Sequence, residues 1–235
     1  MNNSHQRRTA GPAPQTSPTE TTLLRCPLCA DIGGSSHFHS DQNRDYYCCP
    51  YCHLVHVPPP QLLSPEAERA EYDKHQNSPH DAGYRKFLSR LFIPLNTRLS
   101  PGSHGLDFGS GPGPTLSLMF EEAGHRMSLF DPFYAPKKNA LNRQYDFISA
   151  SEVVEHLHDP KTELALLWAI LKPGGWLGIM TKLVLDRASF SQWHYKNDPT
   201  HVCFYSIKTM AWLARQWQVK LLPIGKDVLL FQKPL

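Results

Sequence analysis

The chain has 235 residues, 40% of them hydrophobic and 19% charged, with a formal net charge of +3. That is enough apolar content for one folded domain plus a small module, so wholesale disorder is excluded. Its apolar runs fall far short of a helical membrane span. The charge is spread as 4 basic and 4 acidic residues over 1–64, 6 and 5 over 65–100, and 14 and 12 over 101–235, which leaves no basic block for a nucleic acid.

Residues 1–22 are polar and rich in Asn, Gln, Ser, Thr and Pro, and read as a disordered tail. No apolar stretch follows the polar, basic start, so no signal peptide is expected. The thiols then sit in a reducing, cytoplasmic setting, where paired C-x-x-C spacings read as metal ligands before disulfides. Cys26-Pro27-Leu28-Cys29 and Cys49-Pro50-Tyr51-Cys52 are two such turns with 19 residues between them. Two turns of this kind supply the four soft, tetrahedral ligands that structural zinc takes, and a segment this short needs a staple. Cys48 breaks the spacing and reads as a strand residue facing away from the metal. His37, His39, His53 and His56 read as surface residues. Strands at 45–48 and 54–57 complete a zinc ribbon over 23–60, with Pro58, Pro59 and Pro60 as a stiff extended linker.

A helical connector is expected over 61–100. Ser64-Pro65-Glu66 is a helix start, with Ser64 as N-cap, and the helix runs to about residue 76. A second helix spans about 81–92. Tyr72, His75, Asn77, Tyr84 and Arg85 either reach an acceptor or form a solvated helical face.

From residue 101 short apolar strands alternate with amphipathic helices, the mark of an α/β sheet. A buried strand at 105–109 runs into Gly109-Ser110-Gly111-Pro112-Gly113, and a helix follows at 115–123. Such a loop lets the backbone turn sharply and lets a ligand approach closely. A second strand, 125–130, ends on Asp131, which is placed either to bind a ribose diol or to form a turn before Pro132. The next strand is 145–151. Glu152, Glu155 and His156 follow it, at a spacing that puts them on one helical face. They read as a general base beside an acceptor, as a divalent-metal site, or as a helix start with a packed histidine. Leu164, Leu167, Trp168 and Leu171 form the core-facing stripe of a further helix. A fifth strand at 176–181 leads into a polar-aromatic segment that reads as a lid over the cleft. His194, Tyr195, His201 and Tyr205 in it are acceptor-binding candidates or loop packing. Cys203 is placed in the same loop and is not read as a nucleophile. Ser206 caps a helix to about residue 217, and 219–224 with 227–232 form a terminal hairpin.

Asp107–Gly113, Asp131, Tyr145–His156 and Leu171-Lys172-Pro173-Gly174-Gly175-Trp176 together resemble class I S-adenosylmethionine-dependent methyltransferases, and within them the ubiquinone-biosynthesis O-methyltransferases. The resemblance covers 101–235 and implies a Rossmann-like sheet. Asp107, Gly109, Ser110, Gly111, Gly113 and Ser151 would then surround the cofactor, with Asp131 on the ribose. Relatives of this type place the third strand, with an acid near the adenine, beyond Asp131. Here only 13 residues separate Asp131 from the next strand, with no Asp or Glu among them. A shortened third-strand region is therefore expected, and Phe133 is the candidate for the adenine ring. The same resemblance implies magnesium at Glu152/Glu155/His156 as an option and favours His201 among the lid residues. Taken together the chain reads as a methyltransferase, with a small-molecule acceptor ahead of RNA. A non-catalytic zinc-ribbon binding module is the reading from another class.

Overall fold

The computed structural model describes residues 24–31, 33–74 and 78–235. The expected tail at 1–22, the last residues of the expected first helix, and the candidates His75 and Asn77 lie outside the described residues.

The chain opens with an antiparallel hairpin of β1 (Ser36–Ser40) and β2 (Asp45–Cys48), and β3 (Val55–His56) pairs with β2. The three prolines after it do not form a free extended linker. Pro59–Gln61 folds as a 3-10 turn, and the Gln61 amide both accepts from the Asp45 N–H (2.8 Å) and donates to its carboxylate (3.0 Å). In the connector, α1 (Pro65–Tyr72) starts as expected, with the Ser64 hydroxyl accepting from the Ala67 N–H at 3.3 Å. α2 (Ala82–Asn96) is capped by Asp81, which accepts from the Gly83 and Tyr84 N–H groups. It runs a turn past the expected end and through Pro94. Leu88, Leu91 and Leu95 are one buried stripe, and seating Leu95 carries the helix onward.

The α/β part follows in the expected order: β4 (His104–Phe108), α3 (Thr115–Glu122), β5 (Arg126–Phe130), β6 (Tyr145–Ser151), α4 (Pro160–Ile170) and β7 (Leu171–Met180). After these come α5 (Arg187–Ser191), β8 (Cys203–Phe204), α6 (Ile207–Gln216), β9 (Leu221–Ile224) and β10 (Val228–Gln232). Six strands form one mixed sheet in the order β5-β4-β6-β7-β10-β9. The first four are parallel, and the terminal hairpin closes the far edge antiparallel. The fold is thus α/β and Rossmann-like. Residues 132–144 add no strand beyond β5. They make a bridge between Asp131 and Ala135 and a 3-10 turn at Lys138–Asn142, as the short segment requires. Both faces of the sheet are covered, and β10 shows it by strict alternation. Val228 and Leu230 pack with the α2 and α3 leucines, whereas Leu229 and Phe231 pack with Leu164, Leu167 and Leu213.

The cysteine segment is joined to this body. A second sheet runs in the order β1-β2-β3-β8, with Val55 opposite Phe204 and His56 opposite Cys203. Cys203 is therefore a buried strand residue, not part of a loop over the cleft, and its thiol donates to the Leu157 carbonyl at 3.3 Å. His56 is likewise buried rather than at the surface, with Nε2 at 2.8 Å from the Ser35 hydroxyl. So short a segment has little core of its own, and it buries its inner face against the larger sheet's second half. Among the described residues no helix is long and apolar enough to cross a membrane.

Candidate active site

The parallel strands β4, β5 and β6 end at one edge, and the chain there is built around a glycine turn. Gly109 and Gly111 take φ of +74° and +62°, a region that glycine enters without a Cβ clash. The Gly109 and Ser110 N–H groups both donate to the Phe130 carbonyl, at 2.8 and 3.3 Å, which ties the turn to the end of β5. Asp131 completes it. One carboxylate oxygen accepts from the Gly111 N–H at 3.0 Å, and the other accepts from the N–H groups of Phe133 (2.9 Å) and Tyr134 (3.0 Å). Asp131 thus shapes both the glycine turn and its own turn, and the oxygen that meets Gly111 keeps lone-pair capacity for a further donor. The Ser110 hydroxyl is buried with no partner among the described residues.

Asp107 lies fully buried beneath the turn and accepts from Ser149 (2.9 Å) and Ser117 (3.0 Å). Burial pushes its carboxyl from 3.8 up to about 6, against the pull of the two hydroxyls. Its folded value lies above its unfolded one, so the stability it contributes is present below about pH 4 and lost as pH rises through about 6. Two units correspond to about 3 kcal/mol. About half of that is already lost at pH 5, so Asp107→Asn, measured without added ligand, is expected to melt higher relative to wild type at pH 8 than at pH 5, by roughly 3–6 °C in the difference. A pH-independent difference in differential scanning fluorimetry would refute this.

Connector residues sit over this edge. The Tyr72 ring packs 5.6 Å from Phe133 and 5.3 Å from His156. The Tyr134 hydroxyl donates to Asp73 at 2.6 Å. Burial, then the charges of Asp107 and Glu152, push the Tyr84 phenol up to about 12. Arg85 pairs with Glu122.

Beyond β6 the structure departs from the expected helical face. Glu152 sits at φ +53°, only a 3-10 turn (Val154–His156) follows, and α4 starts later, so Glu152, Glu155 and His156 do not share a helix. The group with metal-ligand spacing is instead Glu155, His156 and His201, whose ligand atoms all lie within 4.8 Å of one another. Glu152 is outside it. The Tyr195 hydroxyl bridges the two acids, donating to Glu155 and lying 3.3 Å from Glu152. Burial pushes both carboxyls up, and the charge of Glu155 pushes Glu152 further. His156 Nδ1 donates to the Thr200 carbonyl (3.2 Å) and His201 Nδ1 to the Tyr195 carbonyl (2.6 Å), with the two rings 4.6 Å apart. Burial and the neighbouring His156 push the His201 imidazole down to about 4. Of the other lid candidates, His194 is exposed near Lys182, and Tyr205 is core, its hydroxyl donating to the Val154 carbonyl.

Residues 194–201 are held from the cysteine segment, by contacts that spacing alone did not reveal. Arg44, buried in the β1–β2 turn, donates to the carbonyls of Lys196, Asp198 (2.9 Å), Pro199 (3.0 Å) and His201 (2.9 Å). Asp41 pairs with Lys196 at 2.8 Å, and Tyr46 donates to Asp41. Farther out, Cys26, Cys29, Cys49 and Cys52 bring their sulfurs together, with 3.4 Å between Cys26 and Cys52 and 3.5 Å between Cys29 and Cys49. These distances are far longer than a disulfide bond and suit four corners of one tetrahedral ion. Cys48 stays outside, its thiol 3.7 Å from the Cys49 carbonyl.

A family profile described as a methyltransferase domain matches residues 74–223. Among solved structures, the 1,6-didemethyltoxoflavin-N1-methyltransferase of Burkholderia thailandensis, with 1,6-didemethyltoxoflavin and S-adenosylhomocysteine bound, is 17% identical with a TM-score of 0.50. That match covers 86% of this chain and 100% of that one. The N-methyltransferase NodS of Bradyrhizobium japonicum is 16% identical with a TM-score of 0.45, over 66% of this chain and 99% of that one. No curated protein matches the sequence.

Proposed function

Because the chain belongs to the methyltransferase-domain family, we propose that it transfers a methyl group from S-adenosylmethionine to a small-molecule acceptor. The observation that carries this is the glycine turn tied to Asp131, beside a buried Ser110 hydroxyl with no partner among the described residues. An orphaned buried hydroxyl and a lone pair left over on one oxygen of a fixed acid suit a polar ligand, and nucleotides bind at this edge of open α/β sheets. In this reading Asp107 and the backbone of Gly109, Ser110, Gly111 and Gly113 hold the methionine part, with Ser151 beside them. Asp131 takes the ribose hydroxyls, and Phe133, whose ring meets that of Tyr72 at a tilt, takes the adenine. S-adenosylmethionine supplies a methyl already activated on a sulfonium.

The protein's part is to align the acceptor and exclude water. Tyr72 and Tyr84 of the connector close the cleft. Glu152, Glu155, His156 and His201 form its acceptor side. Glu152, raised by burial and by the charge of Glu155 and bridged to it by Tyr195, is suited to accept a proton from the acceptor near neutral pH. The four clustered sulfurs hold a structural zinc, which fits a reducing compartment such as the cytoplasm. The E-x-x-E-H run at 152–156, which resembles that of the ubiquinone-type O-methyltransferases, supports a reading of the chain as near that subgroup.

The near-neutral charge favours a metabolite over RNA. Incubating the protein with methyl-labelled cofactor and a cell extract, then separating RNA, protein and metabolites, is expected to put label in the metabolite fraction. Label in RNA would replace the acceptor class, and no enzyme-dependent label in any fraction would remove the activity.

A further inference from the structure

We propose that Glu155, His156 and His201 form a second metal centre, distinct from the four-cysteine group and built for a borderline transition ion of the zinc class. The three residues come from two segments far apart in sequence, and the fold places their ligand atoms within 4.8 Å of one another. The segments are locked together where they meet, since the Val202 N–H donates to the Glu155 carbonyl at 2.8 Å. Two imidazoles and one carboxylate are the donor set of zinc, iron, cobalt or nickel. Magnesium prefers an all-oxygen shell.

Two independent features support a cation here. The first is the outer shell. Each imidazole spends its Nδ1–H on a backbone carbonyl, at 3.2 Å for His156 and 2.6 Å for His201, which makes Nε2 the lone-pair nitrogen of both rings. Metal-binding histidines are oriented in this way. The second is Glu155. Its side chain is fully buried, one oxygen accepts from the Tyr195 hydroxyl, and the other is buried with no partner among the described residues. A buried carboxylate oxygen without a donor is costly, and a cation beside it removes that cost. The nearer Asp198 oxygen stands 3.8 Å from His201 Nε2 but falls outside the group of mutually close ligand atoms, and its other oxygen is engaged by Thr200, so Asp198 adds negative charge at the rim. Three protein ligands leave a coordination position open, as in catalytic rather than structural zinc sites. That position suits an oxygen or nitrogen donor of the acceptor. This last role rests on the proposed methyl transfer, whereas the centre itself does not.

The test is zinc stoichiometry on the full-length protein, dialysed against micromolar zinc and analysed by elemental mass spectrometry. Two zinc ions per chain are expected in wild type and one in each of His201→Ala and Glu155→Gln. The four cysteines should stay protected from a thiol reagent in all three. One zinc per chain in wild type would overturn the proposal without any variant. So would a second zinc that both variants retain. Calorimetry with S-adenosylhomocysteine on the same samples reads the cofactor site separately, so a failed metal centre and a failed methyltransferase reading are distinguishable.

Discussion

Replacing Arg44 with alanine is expected to release residues 194–201 from the cysteine segment and to destabilise the protein by about 3–5 kcal/mol. One guanidinium answers four backbone carbonyls there, and it is only 9% exposed. Removing it strips four charge-assisted hydrogen bonds at once and leaves four largely buried acceptors that only invading water can serve. Lysine would not restore the pattern, because a point ammonium cannot address four carbonyls laid out for a planar fork. Limited trypsinolysis reads the effect locally. Lys196 is 5% exposed and paired with Asp41, so wild type should resist cleavage there. Arg44→Ala should be cut after Lys196 early in the digest, and Arg44→Lys nearly as early. Equal resistance in all three would show that the loop holds its place without the clamp.

The second large effect is expected at Gly109. A Cβ built there would lie 2.4 Å from one Val153 methyl and 2.7 Å from the other, at a φ of +74°. Alanine would incur about 1 kcal/mol for the left-handed conformation and about 1–3 kcal/mol for the overlap. The turn cannot relax freely, because its N–H groups are fixed to Phe130 and Asp131. Gly109→Ala is therefore expected to fold with a lowered melting temperature and to lose cofactor affinity by at least about tenfold, since it moves the backbone said to touch the ligand. Wild-type affinity in this variant would place the cofactor elsewhere.

Local signals made the strands of the larger sheet, most helix starts and the cysteine group legible in the sequence, whereas β1 and α5 were not among the expected elements. Ser64-Pro65, the cap at Ser206 and the terminal hairpin each carry their own signal, and the structure repeats them. The shortened edge after Asp131 followed from counting residues. The misplaced features all depend on contacts between distant parts of the chain. Glu152 looked helical because E-x-x-E-H has helical spacing, but the chain turns at φ +53° before any helix begins. Cys203 looked like loop because two strand residues carry no periodic signal, and their pairing partner lies almost 150 residues earlier. Arg44 had no signal of its own, being one arginine in a polar turn. The pairing of Ser149 with Asp107 was in principle accessible, since aligning β4 with β6 puts them opposite one another.

Isothermal titration of the full-length protein with S-adenosylmethionine tests the central claim most directly. Binding of one cofactor per chain is expected, weakened in Asp131→Ala and Gly109→Ala and retained in Arg44→Lys. No heat of binding with wild type at millimolar cofactor would contradict it.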